Sequence, residues 1–361
     1  MTALIRAVVE TAALRHNLAV VRRQAPHSRI MAVVKANAYG HGSVVAAKAL
    51  TDADAFAVAR LEEGIQLREA GLAHRVLLLE GVFDVAQLSA AARYDFELVV
   101  HSALQIHLLQ AWRGVHRFKV WLKLDTGMHR LGFLPVDFPA AYRALGECAA
   151  VEGPPVLMTH LASADALEDT QTAAQLTTFA GLVAGLPGER SIANTAALFG
   201  WPEAQGARGD WVRPGLALYG GSPFAGQHGA QFGLRPAMTL LSQVIAVKTV
   251  ATGGRVGYGA VWRAPREVRL AVVAAGYADG YPRNTAAGCP VLVNGREARL
   301  IGRVSMDMLT VDVTEHAVVA PGDPVVLWGE GVPVESVAAA AGTISWELLC
   351  GVSQRVLLDP R

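Results

Sequence analysis

The sequence predicts an α/β protein: a (β/α)8 TIM-type barrel followed by a smaller, mostly β C-terminal domain. Three observations carry this reading. Strand-like and helix-like runs alternate through the first two thirds of the chain, the pattern of parallel strands joined by helical crossovers. The strand-like runs number eight, enough to close a barrel. After about Phe232 the alternation stops, and short β-rich runs broken by Gly, Pro and Asn turns take over. At 361 residues the chain has room for two domains, and its 52% hydrophobic content, much of it Ala, supplies their cores.

The first helix is expected from Thr11, a residue able to cap, with Leu14, Leu18 and Val21 on one face and Pro26 ending it. Strands are expected at Ile30 to Val34, Asp54 to Val58, Arg75 to Leu79, Phe96 to Val100, Phe118 to Leu124, Val156 to His160, Ser191 to Asn194 and Val212 to Tyr219. Among the helices between them, Ser102 precedes Ala103 to Trp112, where Leu104, Leu108 and Trp112 recur at four-residue spacing. The Gly-rich stretch from Gly226 to Pro236 marks the switch. Residues 10–232 are expected to form the barrel and 233–361 the second domain, with residues 1–9 packing against the latter. There the strand-like runs are Leu240 to Val250, Glu267 to Ala275, Val291 to Val293, Leu300 to Val304, Met308 to Val313 and Val325 to Trp328, with a helix near Val334 to Ala341. The tail after Val356 is expected to be peripheral.

With 32 basic and 31 acidic residues the net charge is +1, which argues against a nucleic-acid or membrane-surface partner. Cys148, Cys289 and Cys350 are odd in number and widely spaced. They form neither a disulfide framework nor a CxxC metal site, so a reducing, cytoplasmic setting and no metal are expected. No apolar run approaches membrane-spanning length, and no signal peptide is evident.

The chemistry begins at Ala32-Val33-Val34-Lys35-Ala36-Asn37-Ala38-Tyr39-Gly40-His41-Gly42. Lys35 stands where an apolar strand ends and a loop begins, which is where a barrel carries its reacting groups. Burial there disfavours the ammonium, and the neutral amine can form a Schiff base with a carbonyl. Single lysines more often lay their stems on apolar surface and keep the head in water. Here, however, Gly40 and Gly42 let the backbone approach a ligand, and Tyr39 offers a hydroxyl. A helix over Val44 to Leu50 would turn unpaired N–H groups toward a phosphate. The stretch resembles the pyridoxal-phosphate lysine motif of the bacterial alanine racemases. That resemblance implies Lys35 bonded to the aldehyde of pyridoxal 5'-phosphate, with Tyr39 on its phosphate.

Later motifs stand at successive strand ends, which favours a shared pocket. In Trp121-Leu122-Lys123-Leu124-Asp125-Thr126-Gly127-Met128-His129-Arg130, the planar fork of Arg130 suits a carboxylate. A cation at Lys123, close to an arginine inside a barrel strand, is electrostatically unfavourable. Thr159-His160, Asn194-Thr195 and Arg213-Pro214-Gly215-Leu216 follow. The resemblance gives Arg130 to the cofactor ring oxygen and the substrate carboxylate, Arg213 to the pyridine nitrogen with His160 in the same network, and Asn194, Thr195, Gly215 and Leu216 to the cofactor, the last three to its phosphate. It also implies that Lys123 is carbamylated. The alternative is a protonated Lys123 paired with Asp125 or a chloride.

Racemisation needs a base on each face of the α-carbon, and Lys35 serves one face. The candidate for the other is Tyr258, in Val256-Gly257-Tyr258-Gly259. An ordinary tyrosine titrates near pH ~10, so it needs cationic or hydrogen-bonding neighbours such as His160 and Arg213. By resemblance Tyr258 comes from the partner subunit, together with Tyr277, Met306 and Asp307, in a head-to-tail homodimer with composite sites. Arg283 and Arg303 match positions lining the substrate entrance. Thr195 stands where Ser is common, and Gln354 where some members have a tyrosine that reaches the phosphate.

The implied activity is interconversion of L- and D-alanine, for peptidoglycan or for alanine catabolism. Two alternatives are a racemase of broader amino-acid specificity and a non-catalytic pyridoxal-phosphate-binding protein, the latter having no use for Tyr258. A decarboxylase on a related plan would call for an acidic partner at the pyridine nitrogen, where this chain offers Arg213.

Overall fold

A computed structural model describes residues 4–361. After β1 (Arg6–Val9) and a helix at Thr11–Gln24, eight strands form the barrel. They are β2 (Arg29–Val33), β3 (Ala55–Val58), β4 (Val76–Leu78), β5 (Glu97–Val100), β6 (Val120–Lys123), β7 (Val156–Met158), β8 (Arg190–Ser191) and β9 (Trp211–Val212). All pair in parallel in sequence order, and β9 closes on β2 with Trp211 opposite Arg29. Strands β3 to β7 are buried at every residue, because helices cover one face while side chains fill the interior. This double burial makes the strands continuous apolar runs, and the expected windows for β2 to β7 agree within two residues.

Strands β8 and β9 are shorter than expected. The first stops at Ser191 instead of Asn194, and the second at Val212 instead of Tyr219. Pro214 has no N–H for a ladder, and Leu216–Tyr219 winds into a 3-10 turn. Two helical expectations also change. Thr11 does not cap: Glu10 holds the cap position, and the Thr11 hydroxyl donates to the Arg361 carbonyl at 2.6 Å. Helix Ala103–Ala111 buries Gln105, Ile106 and Leu109 and leaves Leu104 exposed, because Gln105 is held inward by the Glu80 carbonyl and the His101 N–H.

The N-terminal end of the barrel is plugged. Trp121 and Trp211, both fully buried, lie 5.5 Å apart and donate their indole N–H groups to Glu97 (2.8 Å) and Glu189 (2.7 Å). Arg75 pairs with Glu97 and Arg29 with Glu189, and both guanidiniums lie over the Trp211 ring. These residues stand at or beside strand starts, so the opposite end is left for chemistry.

The second domain is one sheet in the order β13-β16-β15-β14-β17-β10-β1-β18. Its strands are β10 (Met238–Val250), β11 (Arg255–Val256), β12 (Trp262–Arg263), β13 (Val268–Val273), β14 (Pro290–Val293), β15 (Arg296–Ile301), β16 (Leu309–Asp312), β17 (Pro324–Trp328) and β18 (Leu357–Pro360); β11 and β12 form a separate two-stranded ribbon. The long β10 pairs with β1 and β17 near its start and with β13 further on, after a bulge near Val244. The tail is no loose end: β18 runs parallel to β1 with Arg6 opposite Leu357. Helices Val334–Ala341 and Ser345–Cys350 complete the domain. Among the described residues no helix is long and apolar enough to cross a membrane.

Candidate active site

Lys35 leaves the end of β2 into a left-handed turn. Ala36, Asn37, Ala38 and Tyr39 take φ of 53°, 53°, 53° and 52°, a conformation that costs L-residues about 1–2 kcal/mol each. Partners hold it. Glu63 accepts the Ala36 N–H at 2.7 Å, Asn37 Oδ1 accepts the Ser43 N–H at 2.9 Å, and His41 Nδ1 reaches the carbonyls of Ala38 (3.0 Å) and Tyr39 (2.8 Å). Gly40 follows at φ 79°, where a Cβ would overlap the Leu349 carbonyl. In the next helix, Ser43–Ala49, the first N–H is already bonded to Asn37, and Gly42 packs on Leu358.

Around Lys35 the strand ends gather cations. Burial, then Arg130, lowers the Lys35 pKa, while Glu80 and Glu63 act in the opposite sense. Lys123, the last residue of β6, is buried and lowered to about 8, by desolvation first and then by Arg213 and Arg130; Asp125 opposes this. Arg213 is buried and donates to the Ser191 hydroxyl (2.7 Å), to the carbonyls of Thr159 (2.7 Å) and Ile192 (3.2 Å), and reaches His160 Nδ1 at 3.3 Å. Burial brings it to about 10, so it stays cationic near neutrality. His160 is held well below its ordinary value by desolvation and by Arg213, so the ring is neutral. Among the described residues none of Lys35, Lys123, Arg130 and Arg213 ion-pairs with a carboxylate. Asp125 is engaged instead by the N–H groups of Gly127 (3.0 Å) and His129 (3.1 Å). Four basic groups that outnumber the nearby carboxylates, none of them in an ion pair among the described residues, make a site that favours an anion.

Beside them lies a small cradle. Asn194 caps helix Thr195–Gly200 by accepting the Ala197 N–H at 3.0 Å. The Thr195 hydroxyl oxygen accepts the N–H groups of Gly215 (3.0 Å) and Ala217 (3.3 Å), which leaves its own proton to donate. A Cβ at Gly215 would overlap the Tyr39 hydroxyl, so a larger residue there would displace the Tyr39 ring. Leu216 closes the cradle from the buried 3-10 turn.

The remaining candidates share a surface of the second domain. Tyr258 sits in a 3-10 turn between Gly257 and Gly259, both of which pack on Arg303, above a small core of Val256, Ala264, Val268, Leu270 and Ile301. It is 66% exposed. The Tyr277 N–H bonds the Ser305 carbonyl at 3.1 Å and the Ala278 N–H the Met306 carbonyl at 2.9 Å, and Tyr277 and Met306 are exposed. Asp307 pairs with Arg355 at 2.8 Å, and Arg355 also pairs with buried Asp279 at 2.9 Å. Arg283 and Gln354 are exposed. One chain thus gathers the barrel residues and, separately, the second-domain residues.

The sequence reading missed several supporting groups. Glu63, Glu80, Ser191, Tyr219 and Gln175 hold or tune the site, and none belongs to a local motif. Gln175, buried on helix Thr170–Val183, donates to the Thr126 hydroxyl (3.0 Å) and the His160 carbonyl (3.1 Å) and accepts the Ala162 N–H (2.9 Å), tying the β6 and β7 loops together. His41 was visible in its motif but carried no role.

His41 is fully buried, and desolvation lowers it to about 4 despite its two backbone carbonyl partners. Unfolded, it titrates near pH ~6.5, so the folded state binds fewer protons between these values. Stability contributed by the neutral ring is complete above pH ~6.5 and falls as pH drops toward 4, by about 3 kcal/mol. Urea unfolding of the apoprotein at pH 7.5 and pH 5 is expected to show the decline, and His41→Asn to reduce it.

The fold and these residues can be set beside known proteins. The family model for the alanine racemase N-terminal domain matches residues 9–223, and that for the C-terminal domain residues 237–358. The alanine racemase of Shewanella baltica (strain OS155) is 50% identical over 351 residues, 97% of each chain, and that of Shewanella oneidensis is 49% identical over the same span. The biosynthetic alanine racemase of Pseudomonas aeruginosa superposes with a TM-score of 0.95 at 45% identity, covering 100% of this chain and 99% of that one. The alanine racemase of Acinetobacter baumannii gives 0.93 at 37% identity, with 100% of both chains covered. Two matched domains in order, on a barrel whose cationic end holds Lys35, establish that the chain belongs to the alanine racemase family.

Proposed function

We propose that the chain interconverts L- and D-alanine with pyridoxal 5'-phosphate as cofactor, Lys35 and Tyr258 acting as bases on opposite faces of the α-carbon. The observation that carries the reading is the meeting of the half-buried Lys35 amine with Lys123, Arg130 and Arg213, none of them in an ion pair among the described residues, next to a cradle where the Tyr39 hydroxyl lies against Gly215. These residues fit the cofactor. Lys35 would hold its aldehyde, Arg213 its ring nitrogen, and Tyr39, Thr195, Gly215 and Leu216 its phosphate, with Asn194 fixing the helix that presents Thr195. Bound there, pyridoxal phosphate would withdraw electrons from the α-carbon and so acidify its proton.

The chain's own groups do the rest. Arg130 orients the substrate carboxylate through parallel hydrogen bonds. Lys35 takes or returns the proton on one face. Arg213, a cation, cannot give the ring nitrogen a full proton, which limits electron withdrawal and favours simple return of the α-proton. Tyr258 handles the other face, with neutral His160 and cationic Arg213 as the groups that would stabilise its phenolate.

Tyr258 is 66% exposed on the second domain, amid exposed Val261, Tyr277, Met306 and Met308. This supports a homodimer in which each subunit brings Tyr258, Tyr277, Met306 and Asp307 to its partner's barrel, with Arg283 and Arg303 at the entrance. The division at residues 10–232 and 233–361, with β1 packed in the second domain, belongs to the same reading. Three free cysteines favour a cytoplasmic setting.

Lys123, at about 8, is partly neutral at pH 7, and a neutral amine adds to carbon dioxide, losing a proton to leave an anionic carbamate beside Arg130. Protein equilibrated with 13C-bicarbonate is expected to show a carbamate carbon signal by NMR that Lys123→Arg lacks. Identical spectra would favour a protonated Lys123.

The whole reading is tested by incubating the protein with pyridoxal phosphate and L-alanine in deuterated water. Loss of optical rotation together with α-deuteration is expected. A cofactor-loaded protein that exchanges nothing would make it a carrier, and faster turnover of serine, lysine or arginine would make it a broader racemase.

A further inference from the structure

We propose that His41 is a positioning residue for the cofactor phosphate: its Nδ1–H clamps the left-handed turn between Lys35 and Tyr39 and so sets the Tyr39 hydroxyl against Gly215. The inference rests on the reading that this end of the barrel binds pyridoxal phosphate.

Four successive non-glycine residues in the left-handed region do not stay there unaided. Glu63 holds the first of them through the Ala36 N–H. The other end is held by His41, whose Nδ1 faces two acceptors, the carbonyls of Ala38 at 3.0 Å and Tyr39 at 2.8 Å. Only a protonated Nδ1 can bond them, which fixes the tautomer. Nε2 is buried and without a partner among the described residues, so a second proton there would be stranded. The ring is therefore a neutral, one-sided donor.

His41 also reaches Tyr39 by a second route. Its ring lies 4.6 Å from that of Tyr219, and Tyr219 stacks on Tyr39 at 4.7 Å with 25° between planes. The Tyr219 hydroxyl donates to the Val33 carbonyl at 2.8 Å, which pins the stack to the last residue of β2. The Tyr39 hydroxyl itself touches Gly215, where a Cβ would overlap it, and has no hydrogen-bond partner among the described residues. Its place is thus set by its backbone, which His41 holds through Nδ1–H, and by its ring, which Tyr219 stacks.

Positioning of the phosphate predicts a phosphate-specific loss. The affinities of the apoprotein for pyridoxal phosphate and for pyridoxal, which lacks the phosphate, are to be measured by fluorescence titration in the wild type and in His41→Asn, His41→Gln and His41→Phe, with melting temperatures as a control on folding. Asn carries an N–H donor near the position of the histidine Nδ1, whereas Gln carries it a bond further out and Phe has none. Phe and Gln are expected to weaken pyridoxal phosphate by ~10-fold or more and pyridoxal by less than ~3-fold, while Asn keeps both within ~3-fold. Equal losses for the two ligands, no loss with Gln, or an Asn variant as poor as Gln would overturn the assignment. A Phe variant that does not fold leaves the Asn and Gln comparison to decide. A wild type that binds neither ligand would instead remove the cofactor reading itself.

Discussion

Replacing Lys35 by alanine is expected to lower racemisation by at least ~10⁴-fold, the upper end of what one acid–base group supplies, because the same amine also anchors the cofactor. Its placement explains the size of the effect. It projects from the end of β2 into a site whose other basic groups are two guanidiniums and the Lys123 amine on β6. Burial and Arg130 push its pKa down, so more of it is the free amine at neutral pH, although Glu63 and Glu80 limit the shift. Borohydride reduction, which locks a lysine–aldehyde link, is expected to attach the cofactor to the wild type at Lys35 and to leave the variant unlabelled. Labelling at Lys123 in the wild type would reverse the two lysines' roles. The structure argues against that outcome, because Lys123 belongs to the strand itself and Lys35 opens the bonded left-handed turn that follows β2, beside Tyr39.

Tyr258→Phe is expected to cost ~10²- to 10⁴-fold in racemisation while leaving covalent attachment of the cofactor intact. The phenyl ring keeps the shape of the turn and removes only the proton carrier. With one base left, the variant should exchange the α-proton of one alanine enantiomer in deuterated water with retention and leave the other enantiomer unexchanged. Mixing Lys35→Ala with Tyr258→Phe then tests whether the site is shared between subunits. If Tyr258 acts in the partner's barrel, random reassortment makes half the dimers mixed, each with one intact site, so about a quarter of wild-type activity returns. If it acts within its own chain, no combination is intact and nothing returns.

Much of this molecule could be read from residue order, and the limits are physical. Strands buried on both faces announce themselves as unbroken apolar runs, which is why β3 at Ala55–Val58 and β5 at Glu97–Val100 fell where expected. Strand β15 did not: Arg296 and Glu297 are exposed and only Ala298, Leu300 and Ile301 are buried, so its polar start hid four residues of the ladder, and the expected window began at Leu300. The site's charged residues stood in recognisable motifs at strand ends. The left-handed turn was invisible, because Ala36 and Ala38 carry no preference for positive φ and only packing imposes it. Glu63, Gln175 and Tyr219 were equally hidden, since each acts through contacts far away in sequence.

The pairing of β1 with β18 has a consequence for biosynthesis. As the chain leaves the ribosome, the barrel can close once β9 has emerged, whereas residues 6–9 must wait for Met238–Leu241 on one side and for Leu357–Pro360 on the other. Throughout translation that first strand offers unpaired peptide groups to any neighbouring nascent chain. Deleting the last five residues would leave the same edge permanently open in the finished protein, and the predictable phenotype is precipitation during expression rather than a defect in the chemistry of the barrel.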